Sequence, residues 1–219
     1  MTEAETFLGR LASGRVVLGD GAWGTMLMSR GLATGDAPER TCLERPGLLT
    51  EIAALYLDAG AEVVTTNTFG ANPTRLALHG LEERLEEICL AAVRAVREAV
   101  GERAFVSGSI GPTGSLLAPL GDLDPEEARA GFARQAAALS VAGADLLCVE
   151  TMIDLAEAEL AVRAAREAAP TLPIVATLPF EATKRGFFTV MGASPAKAAP
   201  RLAAAGADVV GANCTLGSA

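Results

Sequence analysis

Positive charge is in the minority in this chain: 18 lysines and arginines face 27 aspartates and glutamates, for a formal net charge of −9. That balance argues against a surface built to hold phosphate backbones, and so against nucleic acid as a partner. Aromatics make up only 4% of the residues, and the one tryptophan, Trp23, and one tyrosine, Tyr56, have no aromatic neighbours in sequence from which to build a stacking platform. No apolar run approaches the length that spans a bilayer, and Met1-Thr2-Glu3-Ala4-Glu5 puts acids where a signal peptide needs bases. A soluble, cytoplasmic protein with no membrane contact is the expectation. The single histidine, His79, is expected to pack in a helix-ending loop. The four cysteines, Cys42, Cys89, Cys148 and Cys214, form no CxxC pair and fall in dissimilar contexts, as free thiols do.

What the chain does have is a repeated sentence. Ala59-Gly60-Ala61-Glu62-Val63-Val64, Ala142-Gly143-Ala144-Asp145-Leu146-Leu147 and Ala205-Gly206-Ala207-Asp208-Val209-Val210 each run on to a polar residue seven positions after the glycine: Asn67, Glu150 and Asn213. A helix ending at Ala-Gly, a tight turn and a short apolar run describe a helix feeding a buried parallel strand. The three polar residues then share one phase of the pleat and one end of the sheet. Six strands are expected, at Val16 to Asp20, Val63 to Asn67, Ala104 to Gly108, Leu146 to Glu150, Ile174 to Leu178 and Val209 to Asn213. Helices are expected at about Glu3 to Leu11, Leu48 to Ala59, Leu81 to Val100, Pro125 to Ala142, Leu155 to Ala168 and Pro195 to Ala205. No linker interrupts the pattern, so residues 1–219 read as one domain.

A closed eight-stranded barrel typically takes ~250 residues. The fold class expected is therefore α/β, a TIM-type (β/α)8 barrel cut short after its sixth strand and lacking its last two βα units. An open doubly wound sheet is the alternative, but it calls for a glycine-rich phosphate turn and an immediate helix after the first strand. Asp20-Gly21-Ala22-Trp23-Gly24-Thr25 and a long irregular stretch through Pro38 and Pro46 stand there instead.

Chemistry is expected at the strand ends, and each candidate has an ordinary alternative. Asp20 in Asp-Gly suits a turn. Asn67 closes Thr65-Thr66-Asn67, where polar side chains can satisfy loop backbone. The glycines of Gly108-Ser109-Ile110-Gly111-Pro112-Thr113-Gly114 allow backbone N–H groups to approach an anion, without the lysine of a nucleotide loop. Glu150 ends an apolar strand, where a carboxylate is costly unless a ligand ammonium or an arginine meets it. Cys214, just past a strand end, is either a small buried hydrophobe or a ligand or nucleophile; alone it does not define a zinc site. Phe180 to Phe188 is either a lid or hairpin over that face or an ordinary long loop.

Taken together and in order, Asp20-Gly21-Ala22-Trp23-Gly24-Thr25, Thr66-Asn67-Thr68-Phe69-Gly70-Ala71, Gly111-Pro112-Thr113-Gly114, Glu150-Thr151 and Gly211-Ala212-Asn213-Cys214 resemble the homocysteine S-methyltransferase family, and within it the amino-terminal homocysteine-binding module of cobalamin-dependent methionine synthases. The resemblance implies a barrel in which zinc, held by three cysteine thiolates, binds the sulfur of homocysteine and keeps it a thiolate. It implies methyl transfer from methylcobalamin, recharged from methyltetrahydrofolate, with both cofactors on other modules of a parent protein. By motif position Cys214 resembles the first zinc ligand, Glu150 and Asp20 would meet the substrate ammonium, the backbone at Ser109 and Ile110 its carboxylate, and Asn67 and Asn213 would complete the wall. The family's other two zinc cysteines lie on a last strand that this sequence does not reach, so the zinc site is expected to be incomplete, the piece inactive alone and its open edges prone to self-association. Two alternatives carry the same motifs or edges: a stand-alone homocysteine methyltransferase using S-methylmethionine, S-adenosylmethionine or betaine, and a non-catalytic assembly fragment.

Overall fold

The computed structural model describes residues 6–214. In chain order it runs through α1 (Phe7–Ala12), α2 (Trp23–Met28), α3 (Arg40–Glu44), α4 (Pro46–Asp58), β1 (Val63–Thr65), α5 (Pro73–Ala77), α6 (Leu85–Val100), β2 (Phe105–Ile110), α7 (Pro125–Ala142), β3 (Leu146–Val149), α8 (Leu155–Ala168), β4 (Ile174–Leu178), a hairpin of β5 (Glu181–Thr183) and β6 (Gly186–Phe188), α9 (Pro195–Ala205) and β7 (Val209–Ala212). The five longer-range strands form one parallel sheet in the order β1-β2-β3-β4-β7. That is the βα succession of a TIM-type barrel, open along one side among the described residues. No helix among those residues is long and apolar enough to cross a membrane.

The repeated Ala-Gly motif works through its glycines. Gly60, Gly143 and Gly206 all adopt positive φ (101°, 96° and 115°), the left-handed turn that lets a helix stop and a strand begin at once. The acid two residues later has a role of its own. Asp145 Oδ2 accepts from the Val106 N–H at 2.7 Å and from the Arg97 guanidinium at 2.6 Å. Asp208 Oδ2 repeats this one unit on, with the Ile174 N–H at 2.8 Å and Arg166 at 2.6 Å. Each arginine also donates to the carbonyl of the turn glycine, Gly143 or Gly206. The acid thus ties the start of one strand to the start of its neighbour and to the helix that leads into that neighbour. Asp145→Ala is expected to leave the Val106 N–H without its partner and to lower stability by about 1–3 kcal/mol, the range for a lost charge-assisted bond. A urea midpoint unchanged from wild type would contradict that role.

The pleat sorts the side chains into two cores. Val64, Val106, Ile110, Leu147, Val149, Ala176 and Leu178 face the helices and join the main core with Ile88, Val96, Phe132 and Leu139. Val63, Phe105, Leu146, Val175 and Val209 face the concave side, where Phe7 of α1 closes the amino end of the sheet, its ring 5.8 Å edge-on from Phe105.

Two expectations need correction. The stretch from Val16 to Asp20 is not a strand: only Gly19 bridges Val63, and Val16 is 86% exposed. The segment's backbone reaches β1 only through the Leu18 carbonyl, which accepts from the Glu62 and Val63 N–H groups, and the Asp20 N–H, which donates to the Val63 carbonyl, so the ladder stops short of Val16. The helix expected from Leu81 begins at Leu85, after a 3-10 turn over Glu82–Arg84. The segment after β4 is the hairpin rather than a plain loop, and His79 lies exposed in the turn after α5.

Candidate active site

Concave-facing positions continue past the strand tips. Thr65 of β1 leads to Asn67, Cys148 of β3 leads to Glu150, and Gly211 of β7 leads to Asn213, each pair two residues apart and so on one side of the pleat, and Ser109 is the last residue but one of β2. They open into a cavity of about 570 Å³ lined by, among others, Asp20, Trp23, Asn67, Ser109, Glu150 and Cys214. Glu150 and Cys214 therefore face one cavity from the same end of the sheet.

Glu150 is the centre of a small hydrogen-bonded group. The Ser109 hydroxyl donates to its Oε1 at 2.5 Å, and the Asn213 amide donates to its Oε2 at 3.3 Å and to Thr151 Oγ1 at 2.8 Å. Thr151 Oγ1 lies 3.4 Å from Cys214 Sγ. Burial raises the Glu150 carboxyl above the ordinary carboxylate value, the Ser109 bond lowers it and the charge of Asp20 raises it again. Thr151 and Cys214 are the two non-glycine residues with positive φ among those described (59° and 66°). For a β-branched threonine this conformation is strained, and strain of this kind gathers at functional sites.

Asp20 is held from both sides. Its Oδ2 accepts from the Trp23 indole at 2.9 Å and the Thr65 N–H at 2.8 Å, and its Oδ1 from the Thr65 hydroxyl at 2.8 Å. Burial raises its carboxyl despite these bonds. It fixes the first turn to β1 and still faces the cavity. Asn67 donates its amide to the Pro38 carbonyl at 2.7 Å, pinning the irregular segment over the rim. Ile110 is fully buried and does not line the cavity, and the Ser109 N–H is taken by Thr66 Oγ1 at 3.1 Å.

Several residues of the site were not read from the sequence. Gln135, fully buried in α7, donates to the Thr68 and Ser109 carbonyls at 2.8 and 3.1 Å and so joins the loop after β1 to the end of β2. Glu157, in the first turn of α8, accepts from the N–H and hydroxyl of Thr113 at 2.8 and 2.6 Å and anchors the Gly111–Gly114 turn. Trp23 and Tyr56 approach to 6.3 Å at the cavity edge, and the Tyr56 hydroxyl donates to the Ala22 carbonyl. Gln135 carried one signal: it lies three residues after Phe132 and four before Leu139, on the apolar stripe of its helix.

Cys214 is exposed at the cavity, whereas Cys42 and Cys89 are buried, with burial pushing both thiols up. No group of three or more His, Cys, Asp or Glu that could hold a metal ion occurs among the described residues. One thiol does not fit the three-thiolate zinc set that the resemblance implies.

A parallel barrel with its polar cavity at the carboxyl ends of the strands places the chain among the TIM-type barrels, whose chemistry sits at that rim. A model of the homocysteine S-methyltransferase family matches residues 17–219, and the chain belongs to that family. It is 32% identical to the methionine synthase of Mycobacterium tuberculosis over 98% of this chain and 19% of that protein. It is 33% identical to betaine–homocysteine S-methyltransferase 1 of Danio rerio over 94% of this chain and 50% of that one. The chain thus spans a half or less of these curated relatives. Among solved structures it is similar to the homocysteine methyltransferase MmuM from Escherichia coli, with a TM-score of 0.71 and 25% identity over 93% of this chain and 74% of that one.

Proposed function

We propose that this chain is the homocysteine-binding module of a methionine synthase, and that the cavity takes homocysteine with its ammonium against Glu150. The observation that carries the reading is the Ser109–Glu150–Asn213 group: a half-buried carboxylate that faces the cavity, ringed by neutral donors and joined to no cation by an ion pair among the described residues. An ammonium supplies the missing counter-charge, and Asp20 adds negative potential from across the rim. A ligand so held turns its thiol toward Cys214 and Thr151.

The chain's own residues bind and orient the amino acid. With one thiol at the cavity they do not activate it, so the isolated chain is expected to bind homocysteine and not to methylate it. Cys214 would be one of the zinc ligands, and cobalamin and methyltetrahydrofolate would be bound by other modules of the parent protein. The match to methionine synthase is in keeping with this reading and the match to betaine–homocysteine S-methyltransferase 1, over nearly the same stretch, with a stand-alone enzyme, so the methyl donor separates the two. The test is calorimetric titration with L-homocysteine, metal analysis, and methyl-transfer assays with methylcobalamin, betaine and S-methylmethionine as donors. Binding without turnover is expected. Stoichiometric zinc with methyl transfer by the purified chain would overturn the inactive-module reading, and transfer from betaine or S-methylmethionine alone would favour the stand-alone enzyme.

A further inference from the structure

Charge is unevenly spread around the carboxyl-end rim. Between Gly111 and Ala128, where the chain passes from the end of β2 into the first turn of α7, stand Asp122, Asp124, Glu126 and Glu127 and no base. Between Ala168 and Ala207, a stretch that includes the connection from β4 to α9, Glu181 is the one acid against Lys184, Arg185, Lys197 and Arg201, in a chain whose net charge is −9. Both connections leave the carboxyl ends of parallel strands with β3 between them, so an acidic and a basic patch flank the tip that carries Glu150 and the cavity it faces.

Neither patch is neutralised from within. Arg201 is paired with Glu159 and Glu126 with Arg129, but Lys184, Arg185, Lys197, Asp122 and Glu127 are exposed and joined to no opposite charge by an ion pair among the described residues. Lys184 and Arg185 are the two loop residues of the β5–β6 hairpin, and Thr183 Oγ1 fixes that turn, accepting from the Arg185 N–H at 3.2 Å and donating to the Gly186 carbonyl at 2.7 Å. Lys197 stands in the first turn of α9, where the dipole of the helix disfavours a cation. Each patch also presents apolar surface: Phe187 and Val190 on the basic side are 50% and 66% exposed, Leu116 and Leu120 on the acidic side 40% and 68%. Unspent charge beside exposed apolar side chains is the make-up of a contact surface.

A twofold axis through the rim sets each patch of one copy on the opposite patch of another, the same contact made twice. We propose that two copies of this chain associate rim to rim in this way, the Lys184–Arg185 hairpin of each against the Asp122–Glu127 segment of the other, over the mouths of both cavities. The surplus of acid on both copies opposes association, so the contact is reversible and sensitive to salt. It does not depend on which ligand the cavity takes.

The test is sedimentation equilibrium of the purified chain at low and high salt, of a variant carrying Lys184→Glu and Arg185→Glu, of a variant carrying Asp122→Lys and Glu127→Lys, and of the two variants mixed, with circular dichroism as the check on folding. Wild type is expected to show a monomer–dimer equilibrium that weakens as salt rises. Either reversal alone places like charges opposite each other at both contacts and is expected to weaken the dimer about 100-fold or more, whereas the equimolar mixture has opposite charges at both and is expected to form a heterodimer. A wild-type chain that stays monomeric overturns the proposal and leaves the two patches to a different partner. A dimer that survives a folded reversal variant, or a mixture of folded variants that stays monomeric, overturns the rim contact. One folded reversal variant is enough to decide.

Discussion

Glu150→Gln is expected to make the protein more stable and to abolish its binding of homocysteine. Both effects come from one fact, that the carboxylate is half-buried without an ion pair among the described residues. Burial raises its pKa above the ordinary value of 4.5. An acid whose folded-state pKa is raised gives the fold its full benefit below the unfolded value and loses that benefit as pH climbs through the raised one. Wild type and variant should therefore converge in stability in acid and separate toward neutrality, with the glutamine form ahead by about 1 kcal/mol, the usual gain when a functional site gives up a strained group. The amide keeps its company, since the Ser109 hydroxyl can donate or accept. Binding moves the other way: an ammonium desolvated in the cavity without its counter-charge loses about 3 kcal/mol or more, over a hundredfold in Kd. For wild type, homocysteine affinity should fall as pH drops through the raised Glu150 pKa, at higher pH than an ordinary carboxylate would give. Thermal melts at two pH values and one titration series measure all of this. A glutamine variant that melts lower and still binds would mark Glu150 as a structural residue.

The parts of this site that were legible in the sequence are those fixed by local rules. Gly143 and Gly206 stop a helix and start a strand, and from there the period of two carries the phase forward to Glu150 and Asn213 without knowledge of the rest of the fold. The same logic overran at Val16 to Asp20, because a strand also needs a run of ladder bonds to its neighbour, and this segment reaches β1 only through Leu18 and Asp20. The short helices Trp23–Met28, Arg40–Glu44 and Pro73–Ala77 were missed because five or six residues are too few to show a 3.6-residue period. Gln135 and Glu39 were missed for a different reason. Gln135 meets Thr68 across 67 residues and Glu39 meets Gly70 across 31, so their roles exist only once the loops are folded together. The motif residues and these tertiary partners divide the work. The former face the cavity, while Gln135, Glu157 and Glu39 tie down loops that carry them.

That division makes Gly111 the most sensitive backbone position near the site. It lies in the turn after β2, its N–H donates to the Phe69 carbonyl at 2.9 Å, and a Cβ added to it would fall 2.6 Å from both that carbonyl oxygen and the Phe69 ring. A ring can swing aside, but the carbonyl belongs to the loop after β1, which Gln135 and Thr68 hold in place. Gly111→Ala must therefore break the Gly111–Phe69 hydrogen bond or push that loop off the turn. Overpacking of this kind costs typically about 1–3 kcal/mol, with about 1 kcal/mol more for the lost bond. The expected result is a fall of about 2–4 kcal/mol in unfolding free energy by urea titration. Gly114→Ala is the informative partner: its φ of 81° penalises a side chain, but the added Cβ meets nothing closer than 3.8 Å. It should cost about 1 kcal/mol from backbone strain alone and leave Phe69 where it is. If the two variants lose the same stability, the contact between Gly111 and Phe69 is not what makes this position sensitive.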